Sequence, residues 1–228
     1  MAAPHVGPGD DAGDAEGPGA SVDADAAAGA PDAPSTAGTD YADRLRRLEG
    51  ARWKQVLDVQ RPYRWNLRRL GLGRTLDVGC GLGRNLTALD DGVGVDHNED
   101  SVRTARERGL RAWTSDEWPT CPDAVPATFD AMLVAHVLEH LPQDDADGLL
   151  SAYLPYLRPD STLVLICPQE KGYASDATHV RFVDETGLRA TARRLGFSPV
   201  RQYSFPLPRT AGRLFPYNEF VLVARRLP

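Results

Sequence analysis

The first 40 residues of the chain contain no lysine, arginine, leucine, isoleucine or aromatic residue. They consist mostly of alanine, glycine, proline and aspartate, and their eight acidic residues give them a formal charge of −8. A segment of this composition cannot bury enough apolar surface to offset the entropy that it would lose on ordering. We therefore predict a disordered acidic tail over residues 1–39 and a folded domain over residues 40–228.

Other features are scarce as well, and each scarcity argues against a class of protein. No apolar run approaches the length of a membrane span, and the N-terminus lacks the basic and apolar regions of a signal peptide. Three cysteines (Cys80, Cys121 and Cys167) without metal-site spacing predict reduced thiols in a cytoplasmic protein and no metal site. Outside the first 40 residues, 24 acidic residues stand against all 26 basic ones, so the net charge there indicates neither a nucleic-acid partner nor a membrane.

Residues 40–72 are predicted to form a helical cap on the domain. Asp40 is a candidate helix cap, apolar residues then recur at an approximate helical spacing, and a second helix runs from Pro62 to about Leu70. Nine basic and three acidic side chains lie between residues 41 and 70. We interpret them as a solvated helix face, and the alternative is a surface that touches the acidic tail or an anionic substrate.

Strand and helix patterns alternate from Arg74 onwards. Alternation of this kind predicts an α/β fold, a doubly wound, Rossmann-like sheet with helices on both faces. The last two strands are joined without a helix. The predicted strands are 74–79, 92–96, 110–114, 128–135, 161–167, 199–205 and 218–226, and the predicted helices are 84–90, 98–108, 144–157 and 184–195.

Residues 75–85, Thr-Leu-Asp-Val-Gly-Cys-Gly-Leu-Gly-Arg-Asn, predict a strand, a glycine turn and the start of a helix. Gly79, Gly81 and Gly83 leave the backbone open to close approach by a ligand. The spacing differs from the G-x-G-x-x-G of dinucleotide-binding proteins, because the third glycine comes one residue early. Asp77, two residues before the first glycine, suits a cationic ligand better than a pyrophosphate.

This turn resembles the first motif of the class I S-adenosylmethionine (SAM) methyltransferases. Gly92-Val-Gly-Val-Asp96 resembles their second strand, and residues 129–140 resemble the fourth strand with its following loop. The resemblance covers about residues 41–226 and is to the small-molecule, methyltransferase type 11/12-like branch. It implies seven strands, the last antiparallel, and in-line transfer of a methyl group from SAM to a small-molecule acceptor.

The same resemblance implies which residues bind SAM. Asp77 would face the methionine ammonium, Asp96 would accept both ribose hydroxyls, and Ser115 with Asp116 would flank the adenine. Backbone atoms near His136 would close the methionine end. The full predicted cofactor set is Asp77, Gly79, Cys80, Gly81, Asp96, His97, Ser115, Asp116 and His136.

His179 and His140 are the predicted catalytic residues, because a histidine near its ordinary pKa can accept a proton at neutral pH. For each of them the alternative is a structural role in its loop. The long loops 168–182 and 206–217 leave the sheet on the ligand side and predict a substrate cap. Predicted acceptor-binding residues are Tyr63, Lys171, Arg181, Arg209 and Arg213, and the basic ones favour an acceptor that bears a carboxylate or phosphate.

Three alternatives remain beside the small-molecule methyltransferase. A macromolecule methyltransferase acting on RNA or protein is disfavoured, because Ala135-His-Val-Leu138 replaces the Asp/Asn-Pro-Pro-aromatic motif of enzymes that methylate base amines or glutamine. A non-catalytic binding module should have lost the glycine turn or the ribose acid. A nucleotide dehydrogenase should have a different glycine spacing. The sequence predicts neither the acceptor atom nor the oligomeric state.

Overall fold

Seven strands form one mixed sheet in the computed structural model, which describes residues 60–226. The strands are β1 Arg74–Val78, β2 Asp91–Asp96, β3 Ala112–Thr114, β4 Phe129–Ala135, β5 Leu157–Pro168, β6 Phe197–Phe205 and β7 Glu219–Arg226. Their order across the sheet is β3-β2-β1-β4-β5-β7-β6, and β7 is antiparallel to both of its neighbours. The predicted doubly wound sheet with an antiparallel last strand is confirmed.

Five α-helices accompany the sheet within residues 60–226: α1 Arg61–Arg68, α2 Glu99–Glu107, α3 Gln143–Tyr153, α4 Glu170–Tyr173 and α5 Glu185–Arg194. The acidic tail and the part of the helical cap before residue 60 lie outside the described residues, so both remain predictions. Asn98 and Asp184 cap α2 and α5, since their side-chain oxygens accept the backbone N–H groups of Ser101 and Gly187.

The core lies on both faces of the sheet, because alternate residues of each central strand point to opposite sides. Met132 and Val134 of β4 pack into one cluster with α3 and α5, whereas Ala131 and Leu133 pack into another with Leu67 of α1. Strands buried on both faces carry nearly continuous apolar residues, as β4 and the second half of β5 do. The carboxyl ends of β1, β2 and β4 are therefore held in place by a packed core on both faces of the sheet.

The helix predicted over residues 84–90 is wrong. Only a short 3₁₀ turn, Leu86–Ala88, forms there, and Leu89 is already extended. Asn85 makes no side-chain cap, and β2 begins at Asp91, which leaves too few residues for an α-helix. The glycine turn thus leads into a tight loop and offers no helix N-terminus to a ligand.

The two long loops predicted as a cap pack against each other. The first contains α4 and the second a 3₁₀ turn, Arg209–Arg213. Buried Gln169 and Asn218 join them, because the Asn218 amide donates to Gln169 Oε1 (3.1 Å) and Gln169 Nε2 donates to the Glu219 carbonyl (2.9 Å). A Cβ on Gly212 would lie 1.8 Å from Gln169 Oε1, so the loops meet at a residue with no side chain.

Candidate active site

The glycine turn lies at the carboxyl end of β1 and is tied to the end of β2. The backbone N–H groups of Gly79 and Cys80 both donate to the carbonyl of Val95, at 2.8 and 3.1 Å. Gly79 has φ +77°, and a Cβ there would lie 2.3 Å from Val137 Cγ2. Glycine is therefore required by both conformation and space at this position.

Asp96 closes the second side of the turn. Its Oδ2 accepts the N–H of Gly81 (2.7 Å), and its Oδ1 accepts the N–H of Asn98 (2.9 Å). These bonds hold a nearly buried carboxylate at the end of β2. Each carboxylate oxygen can accept a second donor, so the group keeps the capacity to bind two hydroxyls.

Asp77 is a buried carboxylate without a hydrogen-bond partner among the described residues. Burial, together with the nearby charge of Asp96, raises the pKa of Asp77 to about 7. Arg84 and the amide of Asn85 lower this pKa in part, although Asn85 does not reach hydrogen-bond geometry. An unpaired buried carboxylate is costly, and a cationic ligand group would relieve that cost. The site therefore fits the ammonium group of a methionine moiety.

The other residues predicted to bind the cofactor surround these two acids. The Ser115 N–H donates to the Asp96 carbonyl (3.0 Å), which brings exposed Asp116 to the same edge. Exposed His97 lies with Nδ1 3.5 Å from Asp96 Oδ1. The side chain of Cys80 instead packs in the core beneath Gly94, so only its backbone faces the turn.

His136 follows β4 with φ +60°, and its N–H donates to the Ile166 carbonyl (2.9 Å). Its imidazole lies between two carboxylates: Nε2 is 2.8 Å from Glu219 Oε1, and Nδ1 is 3.3 Å from Glu139 Oε1. Burial alone would lower the pKa of His136, but the two neighbouring glutamates outweigh it and raise the pKa to about 9. His136 is thus a cation at neutral pH and cannot act as a general base.

Glu219 and Glu139 belong to the site but were missed by sequence reasoning. Glu219 is 83 residues from His136 and reaches it because β7 lies beside β5. No spacing rule connects the two positions. Glu139 directly precedes His140 in the sequence and belongs to none of the predicted sets.

A pocket opens at the carboxyl ends of β4 and β5, next to the glycine turn. It is lined by Tyr63, Asn66, Leu67, Arg84, Asn85, Ala135, His136, Ile166 and Glu219. The Tyr63 hydroxyl donates to the Tyr217 carbonyl (2.6 Å), and its ring meets Phe205 edge to face. Helix α1 and the loop after β6 therefore close over this end of the sheet.

The two predicted catalytic histidines lie together but do not line this pocket. The ring centroids of His140 and His179 are 4.7 Å apart, and each Nδ1 is within hydrogen-bond distance of a backbone carbonyl. Burial lowers the pKa of His140, which favours its neutral ring. Catalysis by either residue remains a prediction.

The predicted acceptor-binding cations occupy different environments. Arg181 donates to the carbonyls of Leu138 and Leu141 and to Gln143, and it thereby joins two loops. Arg209 pairs with Glu170, whereas Lys171 and Arg213 are exposed. Pairing of two of the four cations weakens the expectation of an anionic acceptor.

Comparison with known proteins agrees with the fold. A family model described as "Methyltransferase domain" matches residues 76–163, which run from β1 into β5. No curated protein matches the sequence. Many solved structures do match. A SAM-dependent methyltransferase from Archaeoglobus fulgidus has a TM-score of 0.60 and 22% identity, covering 82% of this chain and 99% of that chain.

Two further solved structures of methyltransferases are similar to this chain. The 1,6-didemethyltoxoflavin-N1-methyltransferase of Burkholderia thailandensis, solved with 1,6-didemethyltoxoflavin and S-adenosylhomocysteine, is 25% identical with a TM-score of 0.51, covering 86% of this chain and 93% of that chain. The putative methyltransferase of Haloferax volcanii, solved with the Trm112 methyltransferase activator, is 17% identical with a TM-score of 0.60, covering 83% and 95%.

Sheet order, glycine turn and family match together define a SAM-dependent methyltransferase. The chain is a class I enzyme of this kind, and S-adenosylmethionine is its cofactor. None of the helices between residues 60 and 226 has the length and hydropathy of a membrane span.

The histidine between two carboxylates predicts a pH-dependent stability. The pKa of His136 is raised from 6.5 to about 9, so its contribution is complete below pH 6.5 and is lost as the pH rises to about 9. We expect the free energy of unfolding to fall by a few kcal/mol across this window, at 1.36 kcal/mol per pKa unit. Denaturant unfolding at pH 6–10 measures it. His136→Asn, which tolerates a positive φ, should lack this decline, and an equal decline in the variant would contradict the assignment.

Proposed function

We propose that the methyl acceptor is a small polar molecule that binds in the pocket beside the glycine turn. The observation that carries the proposal is that α1 lines this pocket and is joined to the loop after β6 by the bond from the Tyr63 hydroxyl to the Tyr217 carbonyl (2.6 Å). A covered pocket of this kind excludes water and orients a small ligand. Binding of a small substrate by the similar Burkholderia enzyme supports the same choice.

In this proposal the cofactor-binding residues hold the donor along the ends of β1 and β2. Asp77 pairs with the ammonium group, Asp96 accepts the ribose hydroxyls, and the backbone of Gly79 and Gly81 permits close approach. When bound, SAM supplies a methyl group that is already activated by its sulfonium leaving group. The protein then needs mainly to align the acceptor and to exclude water.

The polar lining of the pocket suggests how the acceptor is aligned. Glu219 and His136 form a charged pair at one wall, and Arg84 with Asn85 form another. We infer that an acceptor O–H or N–H group donates to Glu219, because a carboxylate only accepts hydrogen bonds. His136 holds Glu219 in place for this contact, at 2.8 Å.

The test is a screen for release of S-adenosylhomocysteine from SAM with small hydroxyl- and amine-bearing compounds, in parallel with RNA and protein mixtures. Turnover with a small compound supports the proposal. Turnover only with a macromolecule overturns it.

An acceptor, once found, allows the pocket cover to be tested by Tyr63→Phe. This variant keeps the aromatic contact with Phe205 and removes only the hydroxyl that bonds to Tyr217. Loss of about 1 kcal/mol should raise the KM for the acceptor roughly fivefold while the Kd for SAM stays the same. Steady-state kinetics and calorimetry measure the two constants. An unchanged KM would show that this closure does not cover the acceptor.

A macromolecular acceptor is the second candidate. Exposed apolar side chains lie on α1 and on the loop after β6: Trp65 on α1, and Leu214 and Tyr217 in the loop. The similar Haloferax methyltransferase was solved with a protein activator. In that case turnover should require RNA or protein in the screen.

A further inference from the structure

Three side chains that could bind a metal ion meet away from the pocket lining. Glu139 and His140 lie in the 3₁₀ turn after β4, and His179 lies in the loop after α4. One oxygen or nitrogen atom from each residue lies within 4.8 Å of the other two. The turn and the loop are fixed to each other, because the N–H groups of Val180 and Arg181 donate to the Glu139 carbonyl (2.8 and 3.1 Å).

The two imidazoles are oriented as metal-binding histidines usually are. His140 Nδ1 lies 3.2 Å from the Thr178 carbonyl, and His179 Nδ1 lies 2.7 Å from the Tyr173 carbonyl. A carbonyl only accepts hydrogen bonds, so each Nδ1 carries the proton and each Nε2 keeps its lone pair. Donation of the second ring N–H to a carbonyl is typical of histidines that bind a metal.

Glu139 is the buried member of the cluster, and one of its oxygens already faces the cation of His136. The Glu139 side chain is 1% exposed, and neither carboxylate oxygen has a hydrogen-bond partner within residues 60–226. His136 Nδ1 lies 3.3 Å from Oε1 without hydrogen-bond geometry, which leaves Oε2 for another cation. Buried carboxylates are normally paired or bound to metal.

We propose that Glu139, His140 and His179 bind one divalent transition-metal ion, and that Zn²⁺ fits them best. Two imidazole nitrogens and one carboxylate oxygen form a known zinc ligand set, with bonds of about 2.0–2.2 Å. At these bond lengths two ligand atoms at a tetrahedral angle are about 3.4 Å apart. The three atoms lie within 4.8 Å of one another, so the side chains need to draw together by about an ångström. Three protein ligands leave a coordination position open to water or another ligand.

This site was not predicted from the sequence because its members do not share a motif. His179 follows His140 by 39 residues, and the contact depends on how the loops after β4 and β5 pack. None of the three members belongs to the predicted SAM-binding set, although Glu139 contacts His136, which does. The site is linked to the pocket through His136, which contacts both Glu139 and Glu219.

The experiment uses the full chain without a histidine tag, treated with chelator and then dialysed. Titration with Zn²⁺, followed by calorimetry and by metal analysis after dialysis, should give one tightly bound ion per chain. Co²⁺ should give visible absorption bands of a low-symmetry site with nitrogen ligands. His179→Ala and Glu139→Gln should each weaken Zn²⁺ binding by at least about 100-fold, since even outer-shell partners cost about 10–100-fold.

His5→Ala is the matched control, because it removes a histidine outside the three-residue cluster and keeps every acidic residue of the tail. Its Zn²⁺ affinity should equal that of the wild-type protein. Circular dichroism checks the fold of each variant, and His179→Gln replaces any variant that fails to fold. Wild-type protein that binds Zn²⁺ no more tightly than a folded His179 variant would overturn the proposal and leave His140 and His179 as packing residues.

Discussion

Asp96→Ala is expected to bind SAM at least about 100-fold more weakly than the wild-type protein. The Asp96 carboxylate is nearly buried at the end of β2, where the Gly81 and Asn98 N–H groups fix it (2.7 and 2.9 Å). The variant would lose the two hydrogen bonds that the Asp96 carboxylate is proposed to accept from the ribose hydroxyls. Loss of two hydrogen bonds to a charged group costs about 3 kcal/mol or more, and each 1.4 kcal/mol changes affinity tenfold. Calorimetric titration with SAM and with S-adenosylhomocysteine measures the effect.

Glu107→Ala provides the control for this comparison, because Glu107 is an exposed acid at the end of α2. It changes the net charge by the same amount as Asp96→Ala and should leave SAM affinity within about twofold of wild type. Unchanged SAM affinity in folded Asp96→Ala protein would contradict the prediction that Asp96 binds the ribose hydroxyls.

Asp77→Asn is expected to change binding and stability in opposite directions. Removing the carboxylate that we propose to pair with the ammonium group should weaken SAM binding by about tenfold or more. The same change removes an unpaired buried charge and should stabilise the ligand-free protein at pH 7–8 by about 1–2 kcal/mol. Thermal unfolding with and without SAM measures both effects, and a variant that is less stable in the absence of SAM would contradict the proposed role.

The pH dependence of SAM binding tests the same residue. The pKa of Asp77 is raised from 3.8 to about 7 in the ligand-free protein, so the carboxylate is partly protonated at neutral pH. Protonated Asp77 cannot pair with a cation, so SAM affinity should fall about tenfold for each pH unit below 7 and level off above it. The sign for stability is the reverse, because a raised carboxyl pKa destabilises the folded chain as the pH rises from 3.8 to 7. Asp77→Asn should show neither effect.

The sequence predicted the sheet well because its strands are buried on both faces. β4 and β7 were predicted to within one residue, since continuous apolar residues mark such strands clearly. Asp77 and Asp96 lie close together because β1 and β2 are parallel neighbours, and their carboxyl ends meet at the same edge of the sheet. The roles predicted for the two acids came from the family resemblance, and strand order explains why they lie together.

Features that depend on packing between loops could not be predicted in this way. The partners of His136 come from the turn after β4 and from β7, and the latter lies beside β5 only in the finished sheet. Arg181 and Arg209 were counted as acceptor-binding cations, whereas the loop conformation gives them carbonyl and carboxylate partners. Sequence shows how many charges a loop carries but not which of them are paired.

The buried contact between Gln169 and Asn218 ties the loop after β5 to the loop after β6, so we expect the two loops to change together during evolution. Asn218 also donates to Ser204 Oγ (2.8 Å), so both loops and the end of β6 share a single amide network. A chimaera that exchanges only one loop with a related enzyme would leave buried amides without partners. Acceptor range should therefore transfer between relatives only when both loops are exchanged together, and directed evolution of either loop should select compensating changes in the other.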